Sequence, residues 1–344
     1  EMQQVRLAAK FWTFLEVLPN TALVVVLLLG ALAVGDGDLS LGTLVAFVTL
    51  MLSLVWPVES LGVILAMAQE SMTAADRVLE ILDTKPTIVG GDQAVANPQG
   101  HVQLENVDFM FPDADEPTLH GINLDIAPGE TIAIVGATGS GKTALTALIP
   151  RLRDVTGGRV LVDGVDVRDL TLESLRTIVA TAFEDPTLFS MSARENIALG
   201  RPGATDEEIR EGLEIAQAMF VYDLPWGLDT RIGEQGMSLS GGQSQRVAIA
   251  RAIVARPHVL ILDDNLSALD VHTEALVEES LRTILASTTS IIVAHRASTV
   301  QLADKVALLQ GGTITHIGQH SELMATVPAY RELLAADSEE VVRS

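Results

Sequence analysis

One motif constrains the fold of this chain more than any other: Gly136-Ala137-Thr138-Gly139-Ser140-Gly141-Lys142-Thr143. It follows an apolar run at 131–135, which predicts a buried parallel strand, and it begins a helical stretch that Pro150 ends. In a loop of this kind the glycines let backbone N–H groups turn inward around phosphates. The lysine adds a positive charge at the β- and γ-phosphates, and the threonine hydroxyl can ligate Mg²⁺. A chance glycine-rich turn would lack this strand and helix, so the motif predicts an α/β P-loop nucleotide-binding fold.

Polar side chains follow two further apolar runs. Asp263 and Asp264 come directly after the run at 259–262, and His295 comes after the run at 290–294. Because the carboxyl ends of parallel strands meet at one edge of a sheet, these side chains are expected to lie beside the phosphate loop. Carboxylates at such an edge bind Mg²⁺ and orient an attacking water. The pattern therefore predicts a nucleoside triphosphatase.

A second anion-binding feature lies at Leu239-Ser240-Gly241-Gly242-Gln243. Ser240 is predicted as the N-cap of a helix that runs to about Val254. A helix N-terminus with two glycines offers bare N–H donors and a favourable dipole to an anion. Since the chain already has a phosphate loop, this helix end is expected to serve another subunit's nucleotide.

These motifs resemble a known family. Residues 239–243 followed by Arg246, and Ser267-Ala268-Leu269-Asp270 after the aspartate pair, resemble the signature motif and the D-loop of ATP-binding cassette (ABC) transporters. The resemblance covers essentially the whole chain. It implies an ABC nucleotide-binding domain with a helical subdomain. It also implies a head-to-tail dimer, in which each ATP lies between one subunit's phosphate loop and the other's signature motif.

The resemblance assigns roles to single residues. Phe111 takes the position that stacks on adenine, although it also fits the strand alternation of Val107 and Phe109, and the two interpretations are compatible. The segment 231–236 resembles the loop that contacts the transmembrane domain in exporters. The residues expected to bind ATP are Phe111, Gly136, Ala137, Thr138, Gly139, Ser140, Gly141, Lys142, Thr143 and, at the Q-loop position, Glu184. The other expected residues are the Mg²⁺ ligands Thr143, Glu184 and Asp263, the catalytic Asp264 and His295 (the switch position), the D-loop Ser267 and Asp270, and the signature residues Ser240, Gly241, Gly242 and Gln243, which would contact the partner's ATP.

The N-terminal part predicts an all-α transmembrane hairpin. Residues 17–34 carry no charge over 18 residues, residues 39–58 carry none over 20, and the acidic link 35–38 joins them. Arg6 and Lys10 precede the first span, and Arg77 and Lys85 follow the second, which predicts both ends in the cytoplasm. A buried helical hairpin of a soluble protein is the alternative.

The predicted organisation has four parts. Residues 1–83 hold two spans, about 11–34 and 39–60, with a cytoplasmic extension, and residues 84–100 form a linker. Residues 101–336 form the ABC nucleotide-binding domain, which begins with an antiparallel strand at 101–111 and is helical from about 172 to 254; residues 337–344 form a flexible tail. By the resemblance the two spans are the last of six, so the chain is expected to be the C-terminal part of a longer half-transporter.

Composition excludes several other classes of protein. The sequence has no cysteine, which removes disulfides, thiolate zinc sites and thiol nucleophiles. Its net charge of −23 disfavours nucleic-acid partners, and with them the ABC proteins that act on DNA or ribosomes.

Two residues depart from the pattern of the family. The residue after the Mg²⁺-binding aspartate is usually Glu and is Asp264 here, and the Q-loop residue is usually Gln and is Glu184 here. Asp is one methylene shorter, and a displacement of about 1 Å can lower a rate about 100-fold. The pattern resembles one half of a heterodimeric exporter, with a degenerate ATP site in this chain and an intact signature for the partner's site. A homodimer that hydrolyses ATP slowly is the alternative.

The predicted function is that of an ATP-binding and ATP-hydrolysing exporter subunit, multi-pass in the cytoplasmic membrane with its nucleotide-binding domain in the cytoplasm. The expected partners are a second half-transporter, membrane lipid, and a small-molecule or lipid substrate that is hydrophobic or amphipathic. An importer or lipid flippase on the same fold, and an ATP-gated channel or regulatory subunit, are the alternatives. The sequence leaves the substrate and the direction of transport open.

Overall fold

The computed structural model describes the backbone of residues 2–343 and the side chains of residues 17–57 and 60–335. It divides into two compact units, Glu1–Pro86 and Thr87–Ser344. The side chains of Arg6 and Lys10, on which the predicted orientation partly depends, lie outside the described residues. The same holds for the side chains of the predicted tail, 337–344.

The first unit is a pair of helices, α1 (Met2–Gly35) and α2 (Leu41–Asp83). Ser40 is the N-cap of α2, where its hydroxyl accepts the Thr43 N–H at 3.1 Å. The helices pack closely at Gly30, where a Cβ would lie 2.2 Å from Leu44 Cδ1. Among the described residues, two stretches are long and apolar enough to cross a membrane, Val17–Gly35 and Leu41–Asp83. The predicted pair of apolar helices is therefore present, and its apolar stretches are not buried within the structure.

The second unit contains strands and helices in mixed order. Its strands are β1 (Val102–Phe109), β2 (Leu119–Ile126), β3 (Thr131–Val135), β4 (Gly157–Val162), β5 (Val165–Asp166), β6 (Val179–Ala182), β7 (Met191–Ser192), β8 (Arg231–Ile232), β9 (Val259–Asp263), β10 (Thr289–Val293), β11 (Lys305–Gln310) and β12 (Thr313–Gly318). Its helices are α3 (Lys142–Leu148), α4 (Leu172–Ile178), α5 (Ala193–Ile197), α6 (Asp206–Ile215), α7 (Gly241–Val254), α8 (Val271–Leu285), α9 (Ala297–Val300), α10 (His320–Thr326) and α11 (Pro328–Arg343).

A mainly parallel sheet in the order β12-β11-β3-β10-β9-β6 forms the centre of this unit. Strands β3, β9 and β10 are buried along their whole length, because apolar side chains cover both faces of the sheet. Alternate residues of one strand enter different cores: Ile134 packs on one side and Val135 on the other. Val293 pairs with Ile134 and with Asp263, so the three strands end at one edge. The predicted parallel strands before the phosphate loop, the aspartate pair and His295 are confirmed.

A smaller antiparallel sheet, in the order β2-β1-β4-β5, contains the strand predicted at 101–111. The pairing of β1 is irregular between Glu105 and Asp108. A register shift of this kind bends a strand, and the bent β1 leads to Phe111.

The stretch at 172–254 is not continuously helical as predicted. Strand β6 interrupts it and adds to the edge of the central sheet beside β9, and β7 pairs with β8 in a short ribbon. These segments have two to four residues, which is too short for a hydrophobic period to identify them. The correction matters because β6 leads directly to Glu184.

Asp163 gives a test of how the segment before β1 is fixed. Its carboxylate accepts the backbone N–H groups of Gln99 at 3.0 Å, Gly100 at 3.3 Å and His101 at 2.9 Å, and its own φ is +52°. Asp163→Ala should lower the free energy of unfolding by about 1–3 kcal/mol, because these donors lose a charged acceptor. Asp163→Asn should lower it less, since Asn keeps one acceptor oxygen and tolerates positive φ. Urea denaturation of the purified chain measures both, and equal losses would contradict this explanation.

Candidate nucleotide-binding site

A cavity at the carboxyl edge of β3, β9 and β10 brings most of the predicted site residues together. The predicted residues that line it are Phe111, Thr138, Gly139, Gly141, Lys142, Thr143, Glu184, Asp264, Ser267 and His295. Asp263 lies beneath this group and is buried, with 1% of its surface exposed. Residues separated by more than 180 positions in the chain therefore meet because three buried strands end together.

The phosphate loop is closely packed around its glycines. Gly141 is the N-cap of α3 with φ +102°, a conformation that residues with a Cβ rarely adopt. At Gly136 a Cβ would lie 2.3 Å from the Leu309 carbonyl oxygen, so any larger residue would displace β11. The Lys142 ammonium donates to the carbonyl oxygens of Gly136, at 2.7 Å, and Ala137, at 3.1 Å. The lysine is thus held against the loop whose phosphate it is predicted to contact.

The loop contains a polar atom that fits a phosphate oxygen. Ser140 Oγ is buried and has no hydrogen-bond partner in the described part of the chain. Buried hydroxyls are nearly always hydrogen-bonded, so an unpaired one in a glycine loop fits a site that an anion completes. The residues therefore suit a bound nucleoside triphosphate.

Asp263 fits a Mg²⁺ ligand that is shared with the nucleotide. Its carboxylate accepts hydrogen bonds from the hydroxyls of Thr146, at 3.3 Å, and Thr143, at 3.4 Å. Burial raises the pKa of Asp263, and these hydroxyls oppose that shift. One carboxylate beside a hydroxyl suits Mg²⁺, which takes one or two carboxylates and fills its shell with waters and phosphate oxygens.

Asp264 differs from its neighbour in both conformation and charge environment. Its φ is +48°, so the chain leaves the strand at this residue. Burial, together with the charges of Glu184 and Asp263, raises the pKa of Asp264 to about 6. His295 Nε2 lies 3.8 Å from Asp264 Oδ2, beyond a direct hydrogen bond. The arrangement gives a carboxylate of raised basicity beside an imidazole at the mouth of the phosphate loop, which suits proton transfer from a water.

Phe111 lies two residues beyond the end of β1, outside the strand to which the alternation of Val107 and Phe109 assigns it. Its ring is half-buried and contacts the ring of Phe109 edge-on, with centroids 4.9 Å apart and planes at 77°. The Arg153 guanidinium lies 4.7 Å from the Phe111 ring centroid. The ring also lines the cavity, so it is available to a flat base.

The signature residues lie outside this cavity. Ser240 is the N-cap of α7 as predicted, in a capping box: Gln243 N–H donates to Ser240 Oγ at 3.3 Å and Ser240 N–H donates to Gln243 Oε1 at 2.9 Å. The next N–H groups, of Gly241 and Gly242, have no acceptor within the helix. None of the four signature residues, all of which the structure describes, lines the cavity. Asp270 of the D-loop caps α8 by accepting the Thr273 N–H at 3.0 Å.

The loop at 231–236 is joined to the chain that follows Glu184. Gln235 N–H donates to Ser190 Oγ at 3.1 Å, and β8 pairs with β7. At Gly233, where φ is +91°, a Cβ would lie 2.6 Å from the Phe189 carbonyl oxygen. The two segments therefore form one ribbon.

Several functional residues were not predicted from the sequence. Glu274, which is 4% exposed, pairs with Arg296 at the cavity wall, and Thr299 donates to Glu278 at 2.8 Å. Gln245 makes three hydrogen bonds to two separate segments, one at Glu184 and two in the D-loop at Ser267 and Ala268. Arg296 directly follows His295, which is a weak signal, and nothing in the spacing of Gln245 reveals its contacts.

Comparison with known proteins agrees with this geometry. The family model described as "ABC transporter" matches residues 119–267. A multidrug efflux ATP-binding/permease protein of Mycobacterium tuberculosis is 41% identical over 338 residues, which is 97% of this chain and 28% of that protein. An ATP-dependent lipid A-core flippase of Thiobacillus denitrificans is 39% identical over 337 residues, 97% of this chain and 58% of that protein.

The solved structure of a bacterial Atm1-family ABC exporter with ATP bound is also similar. It matches with a TM-score of 0.72 and 32% identity, over 94% of this chain and 57% of that one. The chain thus spans between 28% and 58% of the length of these relatives. Its fold is an ABC nucleotide-binding domain preceded by apolar helices. The chain belongs to the ABC transporter family, and residues 119–267 are the part that matches the family model.

Proposed function

We propose that this chain is the C-terminal part of an ATP-hydrolysing subunit of a membrane ABC exporter. The observation that carries the proposal is the convergence of a phosphate loop, a buried aspartate, a second carboxylate and a histidine on one cavity, while the signature helix end lies elsewhere. The apolar stretches Val17–Gly35 and Leu41–Asp83 support a position in the cytoplasmic membrane. The relatives, named for multidrug efflux and for lipid A-core flipping, support a hydrophobic or amphipathic substrate.

Each cavity residue has a proposed part in ATP binding. Lys142 opposes the charge of the β- and γ-phosphates, and Phe111 holds the base. Thr143, Asp263 and Glu184 would hold Mg²⁺, which neutralises phosphate charge when bound. Asp264 and His295 orient and deprotonate water beside the terminal phosphate.

The ATP site is proposed to be completed by a second subunit. The residues at the start of α7 do not line the cavity of their own chain, and the positive end of the helix dipole favours an anion there. A second half-transporter would place its nucleotide against Ser240–Gln243, so ATP would join the two cassettes. The loop at 231–236, which is joined to the chain after Glu184, is the proposed route by which this closure reaches the spans.

The two ATP sites are proposed to be unequal. Asp264 replaces a longer carboxylate, and Glu184 adds a negative charge that contributes to the raised pKa of Asp264. A shorter side chain should hold its carboxylate farther from the attacking water, so this site should hydrolyse ATP slowly although the carboxylate is basic enough to accept a proton. We therefore propose a heterodimer in which this chain's own site is degenerate; a slow homodimer would show equal dependence on both copies of Asp264.

Transport by the assembled pair tests the function. Vesicles that contain the full transporter should move a lipophilic dye or labelled lipid only with Mg-ATP, and transport should stop when Lys142→Ala is combined with the equivalent change in the partner. An ATP-gated channel would instead pass ions without any net accumulation. Passive conductance without accumulation would sink the exporter proposal.

Lys142→Ala should weaken nucleotide binding at this chain's site about 10- to 100-fold, because a phosphate loses a charge-assisted donor. Lys305→Ala is the matched control, since Lys305 pairs with Glu130 at 2.6 Å outside the cavity and should leave binding unchanged. Equilibrium titration of a complex disabled at the partner's site measures both. Unchanged affinity in Lys142→Ala would show that the site is wrongly assigned.

Gly241→Asp should lower turnover of the pair about 100- to 1,000-fold while this chain's phosphate loop stays intact, because its carboxylate adds a negative charge beside the backbone donors proposed to face the partner's phosphate. There is room for the side chain in this subunit, where a Cβ meets only Ala268 Cβ at 3.7 Å. Gly241→Asn is the neutral control of the same size and should lose less. Ser240→Ala also removes a donor, but it breaks the capping box as well. Normal ATPase activity in Gly241→Asp would refute the composite site.

Asp264→Asn should lower steady-state ATPase less than about tenfold, because most turnover is proposed to occur at the other site. The equivalent change in the partner should lower it about 100- to 10,000-fold, as expected for loss of a general base. His295→Ala should likewise be milder than its counterpart. The asymmetric proposal fails if Asp264→Asn alone abolishes turnover.

A further inference from the structure

Gln245 connects three segments by hydrogen bonds: its own helix α7, the chain at Glu184 and the D-loop. It lies in the second turn of α7 with 3% of its surface exposed. Its Nε2 donates to the carbonyl oxygen of Glu184 at 3.2 Å and to Ser267 Oγ at 3.4 Å. Its Oε1 accepts the Ala268 N–H at 3.1 Å. A buried amide that lost these partners would carry a free-energy penalty, so the contacts fix the positions of all three segments.

The junction reaches the catalytic edge through one more residue. Ser267 Oγ donates to the carbonyl oxygen of Asp264 at 2.9 Å. The D-loop also packs directly on the first turn of α7, since a Cβ on Gly242 would lie 2.9 Å from the Ala268 carbonyl oxygen. The backbone of Asp264 is therefore linked to α7 by hydrogen bonds and by packing.

A second anchor holds the far end of the same chain segment, residues 184–189, which we term the Q-loop segment. Arg251 of α7 donates to the carbonyl oxygens of Thr187 at 3.0 Å and Asn196 at 2.8 Å, and to Asn196 Oδ1 at 3.1 Å. Asn196 is fully buried and exchanges two 2.9 Å hydrogen bonds with the backbone of Phe189. Helix α7 thus holds the Q-loop segment at both ends.

The N-terminus of α7 is the end that we propose binds the partner's ATP, and the present inference rests on that proposed function. We propose that Gln245 is a positioning residue that makes the Q-loop segment, the D-loop and the signature end of α7 move as one body. Occupancy of the partner's ATP site then sets the geometry of Glu184 and Asp264 in this chain's own site. The proposed coupling element is a contiguous hydrogen-bonded unit, which is one of the structures that can carry coupling between two sites.

Gln245 contributes geometry and not nucleotide affinity. It does not line the cavity, and neither the Lys142 ammonium nor the Thr143 hydroxyl depends on it. Its loss should therefore lower kcat and spare KM, which separates positioning from a general weakening of the site.

Gln245→Met tests this in the assembled transporter with the partner's general base replaced, so that the ATPase measured is that of this chain's own site; Met has a similar volume and makes none of the three hydrogen bonds. We expect kcat to fall about tenfold, as for a small misplacement of reacting groups, with KM within about twofold. Gln319→Met is the matched control, since Gln319 is exposed and its side chain caps no helix. An unchanged kcat, or a loss confined to KM, overturns the inference.

A second measurement leaves Gln245 unchanged, so it does not depend on whether Gln245→Met folds normally. Residues 1–344 contain no cysteine, so spin labels can be placed by Asp185→Cys in the Q-loop segment and Glu211→Cys on α6 in a transporter whose remaining cysteines have been replaced. Helix α6 packs tightly on α7, since a Cβ on Gly212 would lie 2.5 Å from Val254 Cγ2. A third site, Lys305→Cys, marks the central sheet.

The distance from 185 to 211 should stay constant between the nucleotide-free state and the state with a non-hydrolysable Mg-ATP analogue, while the distance from 185 to 305 changes. Equal changes in both distances overturn the inference. Nucleotide titration of Lys142→Ala, run in parallel, distinguishes a failure of the proposed function from a failure of the role of Gln245. Unchanged nucleotide affinity in Lys142→Ala refutes the proposed function itself. Lost affinity there with a normal kcat in Gln245→Met refutes only the role of Gln245.

Discussion

Burial of the Asp263 carboxylate at the edge of the central sheet is the constraint on which the site depends. A buried carboxylate without partners is costly, and here two threonine hydroxyls of α3 supply hydrogen bonds. Thr143 and Thr146 are three residues apart and so lie on one face of the helix. Helix α3 must therefore start immediately after β3 and at a fixed rotation, and only a loop with glycine at its N-cap makes that turn.

The same constraint gives adjacent aspartates different surroundings. Asp263 ends the strand and pairs with hydroxyls, whereas Asp264 turns away at positive φ and lines the cavity with Glu184 and His295. Two identical side chains, one residue apart, thus differ in what they can bind. The conformation of the backbone separates them.

The sequence predicted the features that depend on local pattern. Fully apolar strands, a glycine loop and the Ser240 cap are visible within a few residues, and all three are present. Strand β6 was missed because its edge position, and not its composition, makes it a strand. Gln245 and Arg251 were missed for a different reason: their partners are backbone groups, a hydroxyl and a side-chain amide, which leave no charge or spacing pattern in a sequence. The roles assigned to the site residues stay predictions, since geometry brings groups together without measuring what they bind.

The two glycines of the signature motif, Gly241 and Gly242, differ in how closely the rest of this subunit packs against them. A Cβ at Gly242 would come within 2.9 Å of the Ala268 carbonyl oxygen and 3.1 Å of Leu269 Cδ2, whereas at Gly241 it meets only Ala268 Cβ at 3.7 Å. Packing in this subunit thus requires a glycine at 242 and places no such demand on 241. In a lineage of duplicated subunits, we expect position 241 to drift once the opposite ATP site falls out of use, while position 242 stays fixed. The residue at position 241 would then reflect selection on the ATP site of the partner subunit, which a different gene encodes.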